Sequence, residues 1–133
     1  MEKNKEIVRQ LLSDISQWNI DEALAALDDR CQWWVAGHLP GLSGNFSKIE
    51  MGETFRAMAS TLVPSGLNIT VDHMIAEGDF VAVEGHSDAT LPNGLSYQNQ
   101  YHWKFQLRGG KVVSAKEYLD TQLVAEISGG QPQ

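Results

Sequence analysis

The side chains of this 133-residue chain best suited to chemistry are Glu117, Tyr101, Asn99 and Tyr97. In the run from Leu95 to Leu107, Tyr97, Asn99, Tyr101, Trp103, Phe105 and Leu107 fall on one strand face at period two. Gln98, Gln100, His102, Lys104 and Gln106 occupy the wetter face. A plain core would carry Val, Ile and Leu, because each buried hydroxyl or amide needs a partner. The aromatic face studded with two phenols and an amide reads instead as a cavity wall. Its phenols can donate hydrogen bonds to a ligand carbonyl, enolate or hydroxyl, or be satisfied by another strand or a partner subunit.

Ala115, Glu117 and Leu119 share a face of the last strand. With that face inward, Glu117 is a carboxyl among apolar side chains. Its charged form is then disfavoured and its pKa rises toward the range useful for proton transfer. With the parity inverted it is a solvated strand residue beside Lys116. Trp34 and His38 bracket the strand-to-loop segment at the mouth of such a pocket. An imidazole there can shuttle a proton opposite Glu117, whereas a lone loop histidine is more often simply exposed. Trp33 or Trp34, whichever points inward, shapes the pocket. The expected set is Glu117, Tyr101 and His38 as acting groups, with Trp34, Tyr97, Asn99, Trp103 and Leu119 against the ligand.

Composition narrows the remaining choices. A length of 133 residues suits one domain with a real core. The net charge of −7 disfavours nucleic acid and anionic membrane as partners. No apolar run approaches a membrane span, and Met1-Glu-Lys-Asn-Lys-Glu lacks the basic-then-apolar order of a signal peptide. The single cysteine, Cys31, cannot form an internal disulfide, which points to a reducing, cytoplasmic setting. His38, His73, His86 and His102 show no metal-ligand spacing, and no glycine-rich phosphate loop or nucleophile elbow occurs. The expectation is no metal and no cofactor.

The elements that must position these residues follow from periodicity. Ile7, Val8, Leu11, Leu12 and Ile15 predict an amphipathic helix from about Lys3 to Trp18. Asp21 is a good cap for a second helix, Glu22 to Asp28. Cys31 to Val35 suits a strand, and Gly37, Pro40, Gly41 and Gly44 mark a long loop. Ser47 and Glu50 form a capping-box signature opening a third helix with stripe Met51, Phe55, Met58 and Leu62. Four strands follow, Leu67–Ala76, Phe80–Leu91, Leu95–Leu107 and Lys111–Thr121, with a hairpin at Asn93-Gly94. Glu84, His86 and Asp88 alternate on the solvent or subunit-interface face of theirs. The tail from Ser128 to Gln133 is expected to fray. Three helices and an antiparallel run argue an α+β domain over residues 1–133, helices closing one side of a curved sheet around a pocket.

That order resembles the nuclear transport factor 2-like superfamily, in its SnoaL-like, ketosteroid-isomerase-related branch. The matching residues are Trp33-Trp34-Val35 with Gly37, Pro40-Gly41 and Gly44, then Gly78-Asp79, Val81-Ala82-Val83-Glu84, Asn93-Gly94, Tyr97-x-Asn99-x-Tyr101, Gly110-Lys111-Val112-Val113 and Glu117-Tyr118-Leu119-Asp120-Thr121. The resemblance implies a cone-shaped fold with an antiparallel or mixed sheet. It does not fix the reaction, since one scaffold hosts isomerases, cyclases, dehydratases, epoxide hydrolases and non-enzymes. Ketosteroid isomerases use a carboxylate base with a tyrosine and a protonated aspartic acid. An ungapped match puts Leu11 at the tyrosine, Val35 at the base and Tyr101 at the aspartic acid, so that residue set is missing. No Arg is flanked by aspartates as an epoxide-hydrolase relay requires. SnoaL-like cyclases carry a carboxylate a few residues past the Gly-Lys turn, where Glu117 falls. The implied function is a cofactor-free, homodimeric enzyme moving a proton on a small apolar, oxygenated ligand, as an isomerase, cyclase or dehydratase does. The alternative is a non-catalytic ligand-binding or dimeric interaction module.

Overall fold

The computed structural model describes residues 2–127. The expectation about the Ser128–Gln133 tail therefore lies outside the described residues. Helix α1 (Glu2–Ser16) buries the Val8, Leu11, Leu12 and Ile15 stripe that its 3.6-residue period dictates. Helix α2 spans Ile20–Ala25 and is followed by strands β1 (Leu27–Val35) and β2 (Gly44–Ser47). Helix α3 (Lys48–Ala57) runs on into a π turn, Met58–Leu62, closed by the Val63 N–H on the Met58 carbonyl. Strands β3 (Ile69–Glu77), β4 (Phe80–Thr90), β5 (Ser96–Arg108) and β6 (Lys111–Leu119) lead to helix α4 (Thr121–Ile127).

The α+β class stands: helices packed on a six-stranded mixed sheet of order β2-β1-β6-β5-β4-β3. Only the β1–β6 pair is parallel, and the others are antiparallel. The capping box opens α3 as its sequence predicts. Glu50 N–H donates to Ser47 Oγ, and Ser47 N–H to the Glu50 carboxylate at 2.8 Å.

Four local expectations are corrected. The second helix begins at Ile20 rather than Glu22, which puts the expected cap Asp21 inside its first turn; Asn19 precedes it without a side-chain capping bond, and its amide donates to the buried Asp14. It ends at Ala25, since the alternation of Leu27, Cys31 and Trp33 into the core draws residues 27–30 into β1. Part of the glycine-rich loop forms β2, where Phe46 pairs with Trp33. The last strand stops at Leu119, and Thr121 opens a fourth helix. Asp120 Oδ1 accepts the Leu123 N–H there, a capping bond that ends the strand by starting α4.

The core lies between helices and sheet, centred on Trp33, which meets Phe55 and Phe105 edge-on at ring distances of 6.1 and 5.6 Å. Gly85 on β4 is as important as any large side chain. A Cβ there would stand 2.7 Å from the Thr70 carbonyl and 3.1 Å from the Trp103 ring. The missing side chain lets β3 approach β4 and leaves room for Trp103 on the inner face. The outer face carries Glu84, His86, His102 and Lys104, in the parity the sequence predicts.

Candidate functional site

Between the helices and the inner sheet face lies a cavity in which the centre of a water-sized sphere has about 80 Å³ of free volume. Its floor comes from β1, β5 and β6, and α1, α3 with its π turn, and α4 close the sides. The lining is almost entirely apolar, and Glu117 is its one charged side chain among the described residues. No lysine, arginine or histidine of those residues faces it there. Among the described residues no group of histidine, cysteine and carboxylate side chains is arranged to hold a metal ion.

The parity of β6 turns Glu117 inward with Ala115 and Leu119. Glu117 stands opposite Trp103 of β5 on one side and Val35 of β1 on the other. Its side chain is half-buried, and the accessible part opens on the cavity. Trp33 Nε1 donates to Glu117 Oε1 at 2.9 Å. Burial pushes the Glu117 carboxyl above its ordinary value of 4.5, while indole N–H bonds from Trp33 and Trp103 pull the other way. The result is a carboxyl held in place by the Trp33 donor, in a setting that favours its neutral form. Such a group can give a proton to a ligand or take one from it.

Five expected site residues meet at the cavity: Glu117, Tyr97, Tyr101, Trp103 and Leu119 all line it. Tyr101 lies flat on Trp103, ring centroids 4.8 Å apart with planes 6° from parallel. Simple strand geometry would separate Tyr97 from Tyr101, four residues on, by about 13 Å. The hydroxyls of Tyr97 and Tyr101 nevertheless converge to 3.0 Å. The two rings lean together over Asn99, whose amino group donates to Tyr97 Oη at 2.8 Å. Burial raises the pKa of both phenols, so each is a neutral donor or acceptor near neutrality.

Three expected residues sit elsewhere. Asn99 is buried, but its amide is consumed by its neighbours and it does not line the cavity. It is a strut rather than a ligand contact. Trp34 lies on the outer sheet face against Tyr118, with Lys116 Nζ 5.2 Å from its ring. Register decides this: Trp34 pairs with Lys116, while Trp33 and Val35 pair with the inward Ala115 and Glu117. His38 is exposed and is not part of the lining, which the neighbouring Leu39, Leu42 and Ser43 supply instead.

Some contributors escaped sequence reasoning. Of the two tryptophans left open by the sequence, Trp33 is the one that points inward, and the polar Gln32 beside it is the local signal for the parity of β1. Ser87, buried behind Tyr101 at 3.1 Å, shares the inward parity of Val81, Val83 and Gly85. Val124 and Ile127 of α4 close one side of the cavity. The signal for them was Asp120 followed by apolar residues at helical spacing.

Comparison with known proteins agrees with this architecture. Residues 8–115 match the family model described as a SnoaL-like domain. No curated protein matches the chain in sequence. Among solved structures, an NTF2-like protein from Burkholderia pseudomallei is 22% identical with a TM-score of 0.82, covering 96% of this chain and 98% of that one. A protein of ketosteroid isomerase-like fold from Catenulispora acidiphila, in complex with trimethylamine, is 13% identical with a TM-score of 0.77, covering 93% and 92%. An LEH-like epoxide hydrolase from M. tuberculosis is 17% identical with a TM-score of 0.77, covering 98% and 92%. At these identities the structural matches establish the NTF2-like fold, whose relatives carry different activities.

Proposed function

This chain belongs to the SnoaL-like domain family, and on that scaffold we propose that its cavity is the active site of an enzyme moving a proton on a small, apolar, oxygenated molecule. The carrying observation is Glu117, a lone carboxyl turned into an apolar cavity and anchored by the Trp33 indole N–H. Desolvation of its charged form brings its proton affinity closer to that of a carbon acid activated by a carbonyl. The phenols of Tyr97 and Tyr101 supply the complementary function, donation to the oxygen on which negative charge builds. Isomerisation, aldol-type cyclisation and dehydration all share this step. With His38 exposed, the second polar group is phenolic.

Substrate charge follows from the same lining. An anionic ligand would meet no positive side chain and would approach Glu117, so carboxylate and phosphate substrates are disfavoured. Neutral ketones and enones fit. The test is solvent exchange: incubate the protein in heavy water with a panel of cyclic ketones, enones and aryl methyl ketones, and follow loss of the α-proton signals by NMR. Exchange well above the buffer rate for at least one class is expected. Binding without exchange across the panel would instead favour a ligand-binding module, a reading supported by the trimethylamine complex of the C. acidiphila relative.

The outer sheet face supports a homodimer. Trp34 and Tyr118 pack together there, and Phe80 is substantially exposed beside Lys104. Aromatic groups interspersed with charges of both signs suit an isologous contact between two copies. Sedimentation of the purified protein should give twice the monomer mass, and Trp34→Glu should shift it toward monomer. A monomer at all concentrations would refute this reading.

A further inference from the structure

The charges of the cavity and of the surface beside it all have one sign. Glu117 is the one charged side chain of the lining among the described residues, and it forms no ion pair with them. The Trp33 indole N–H that donates to its Oε1 at 2.9 Å is a neutral donor, which orients the carboxyl without cancelling its charge.

The neighbouring surface repeats the pattern. A groove abuts the cavity and shares Leu42, Phe46, Thr54 and Met58 with its lining. Spacings of three and four place Glu50, Glu53, Thr54 and Ala57 on one face of α3, and that face borders the groove. Both glutamates are exposed, and no basic side chain of the described residues joins them there. The two cations of α3 are engaged elsewhere. Lys48 Nζ meets Asp29 at 3.2 Å and the Leu27 carbonyl at 3.1 Å, and Arg56 Nη2 meets Asp21 at 3.1 Å.

Aromatic rings surround the carboxyl. Trp103 stands opposite Glu117 in the sheet, Tyr101 lies on Trp103, and Phe55 meets Trp33. Ring faces carry a negative quadrupole that attracts a cation within about 6 Å of the centroid. An apolar cavity alone would reject an ammonium group, because nothing would replace its lost water. Here a carboxylate and rings replace it, and the cation in turn relieves a carboxylate that is costly to leave buried and unpaired.

We infer that the cavity takes a small apolar amine in its ammonium form, nitrogen against Glu117, and that Glu50 and Glu53 draw the cation toward the groove. A neutral carboxyl meeting a free amine and a carboxylate meeting an ammonium reach the same pair, with one proton between a Glu117 oxygen and the nitrogen. The inference rests on the reading of the cavity as a small-molecule site and goes beyond the proposed reaction by adding a second ligand class. The two acidic contributions also separate in kind. Exposed charges are screened by salt and act on the rate of encounter, whereas the enclosed carboxyl acts on the lifetime of the complex.

The test compares 1-phenylethylamine with acetophenone, two molecules of one carbon skeleton that differ in carrying an ammonium group or a neutral carbonyl. Binding is followed near neutral pH by the fluorescence of the cavity tryptophans. The amine should bind about ten- to a hundredfold tighter, the range of a hydrogen bond to a charged group. Glu117→Gln should abolish that preference while acetophenone still binds, which shows the cavity intact. Glu50→Gln combined with Glu53→Gln, a surface change, should slow association of the amine and weaken its salt dependence, with acetophenone unaffected. Equal or weaker binding of the amine in the unmodified protein, or a preference that survives Glu117→Gln, would overturn the inference. Acetophenone that binds and exchanges its α-protons without any preference for the amine would sink the inference alone. A Glu117-dependent preference for the amine without exchange of ketone α-protons would uphold it and sink the catalytic reading.

Discussion

Glu117→Gln should lower α-proton exchange by about 10²–10⁴-fold, the range a positioned general acid or base contributes, while ligand affinity changes little. Glutamine keeps the volume and an acceptor for Trp33 Nε1, so the 2.9 Å bond that orients the side chain has a replacement. What disappears is the exchangeable carboxyl proton. Full exchange in this variant would remove Glu117 from the mechanism.

The same variant carries a stability signature whose sign is fixed. In the unfolded chain Glu117 loses its proton near 4.5, and burial in the folded chain holds the proton to higher pH. The folded state therefore binds more protons across that window, and stability falls as pH rises through it. The contribution is fully present below 4.5 and is lost as pH passes the raised folded value. Glutamine does not titrate. The melting temperature of Glu117→Gln relative to the unmodified protein should thus climb as pH is raised from about 4.5, where the groups differ least. A gap that stays constant with pH would mean Glu117 is solvated like an ordinary surface carboxylate.

The second large effect is structural. Asn99→Ala should destabilise the fold by about 3–5 kcal/mol, in the tail of the single-substitution range. Asn99 is 1% exposed and ties β5 to the β6–α4 turn through both the N–H and the carbonyl of Asp120. Its loss leaves those groups and the Gln100 N–H without their partner in a partly buried setting, and no water-sized replacement offers the same two-ended amide. Chemical denaturation checks this directly. A loss below about 1 kcal/mol would mean that solvent reaches the turn and satisfies it.

Asn99 also shows where sequence reasoning reached its limit. Period two placed it correctly on the inner face of β5 with Tyr97 and Tyr101. Nothing along the chain told that its amide would be spent on Asp120, twenty-one residues later. Trp34 lies outside the cavity for a related reason, and His38 because its loop past β1 leaves it exposed. Which tryptophan faces inward depends on the parallel register of β1 with β6, a pairing between residues some eighty positions apart. The inward parity of Glu117 was legible because Ala115 and Leu119 mark its face locally. The same local pattern in β4 separated Glu84, His86 and Asp88 from Val81, Val83 and Gly85.

By itself, then, the sequence determined the α+β class, the capping box of α3, the hairpins and the inward set Tyr97, Tyr101, Trp103 and Glu117. Those features follow from periodicity, turn chemistry and the steric needs of one element at a time. Tertiary structure alone decided that Trp33 rather than Trp34 holds the carboxyl, that Asn99 braces a turn, and that α4 closes the cavity. Each of these is a contact between distant segments, and hydrogen-bond partners are chosen by strand register and packing, which no local pattern encodes.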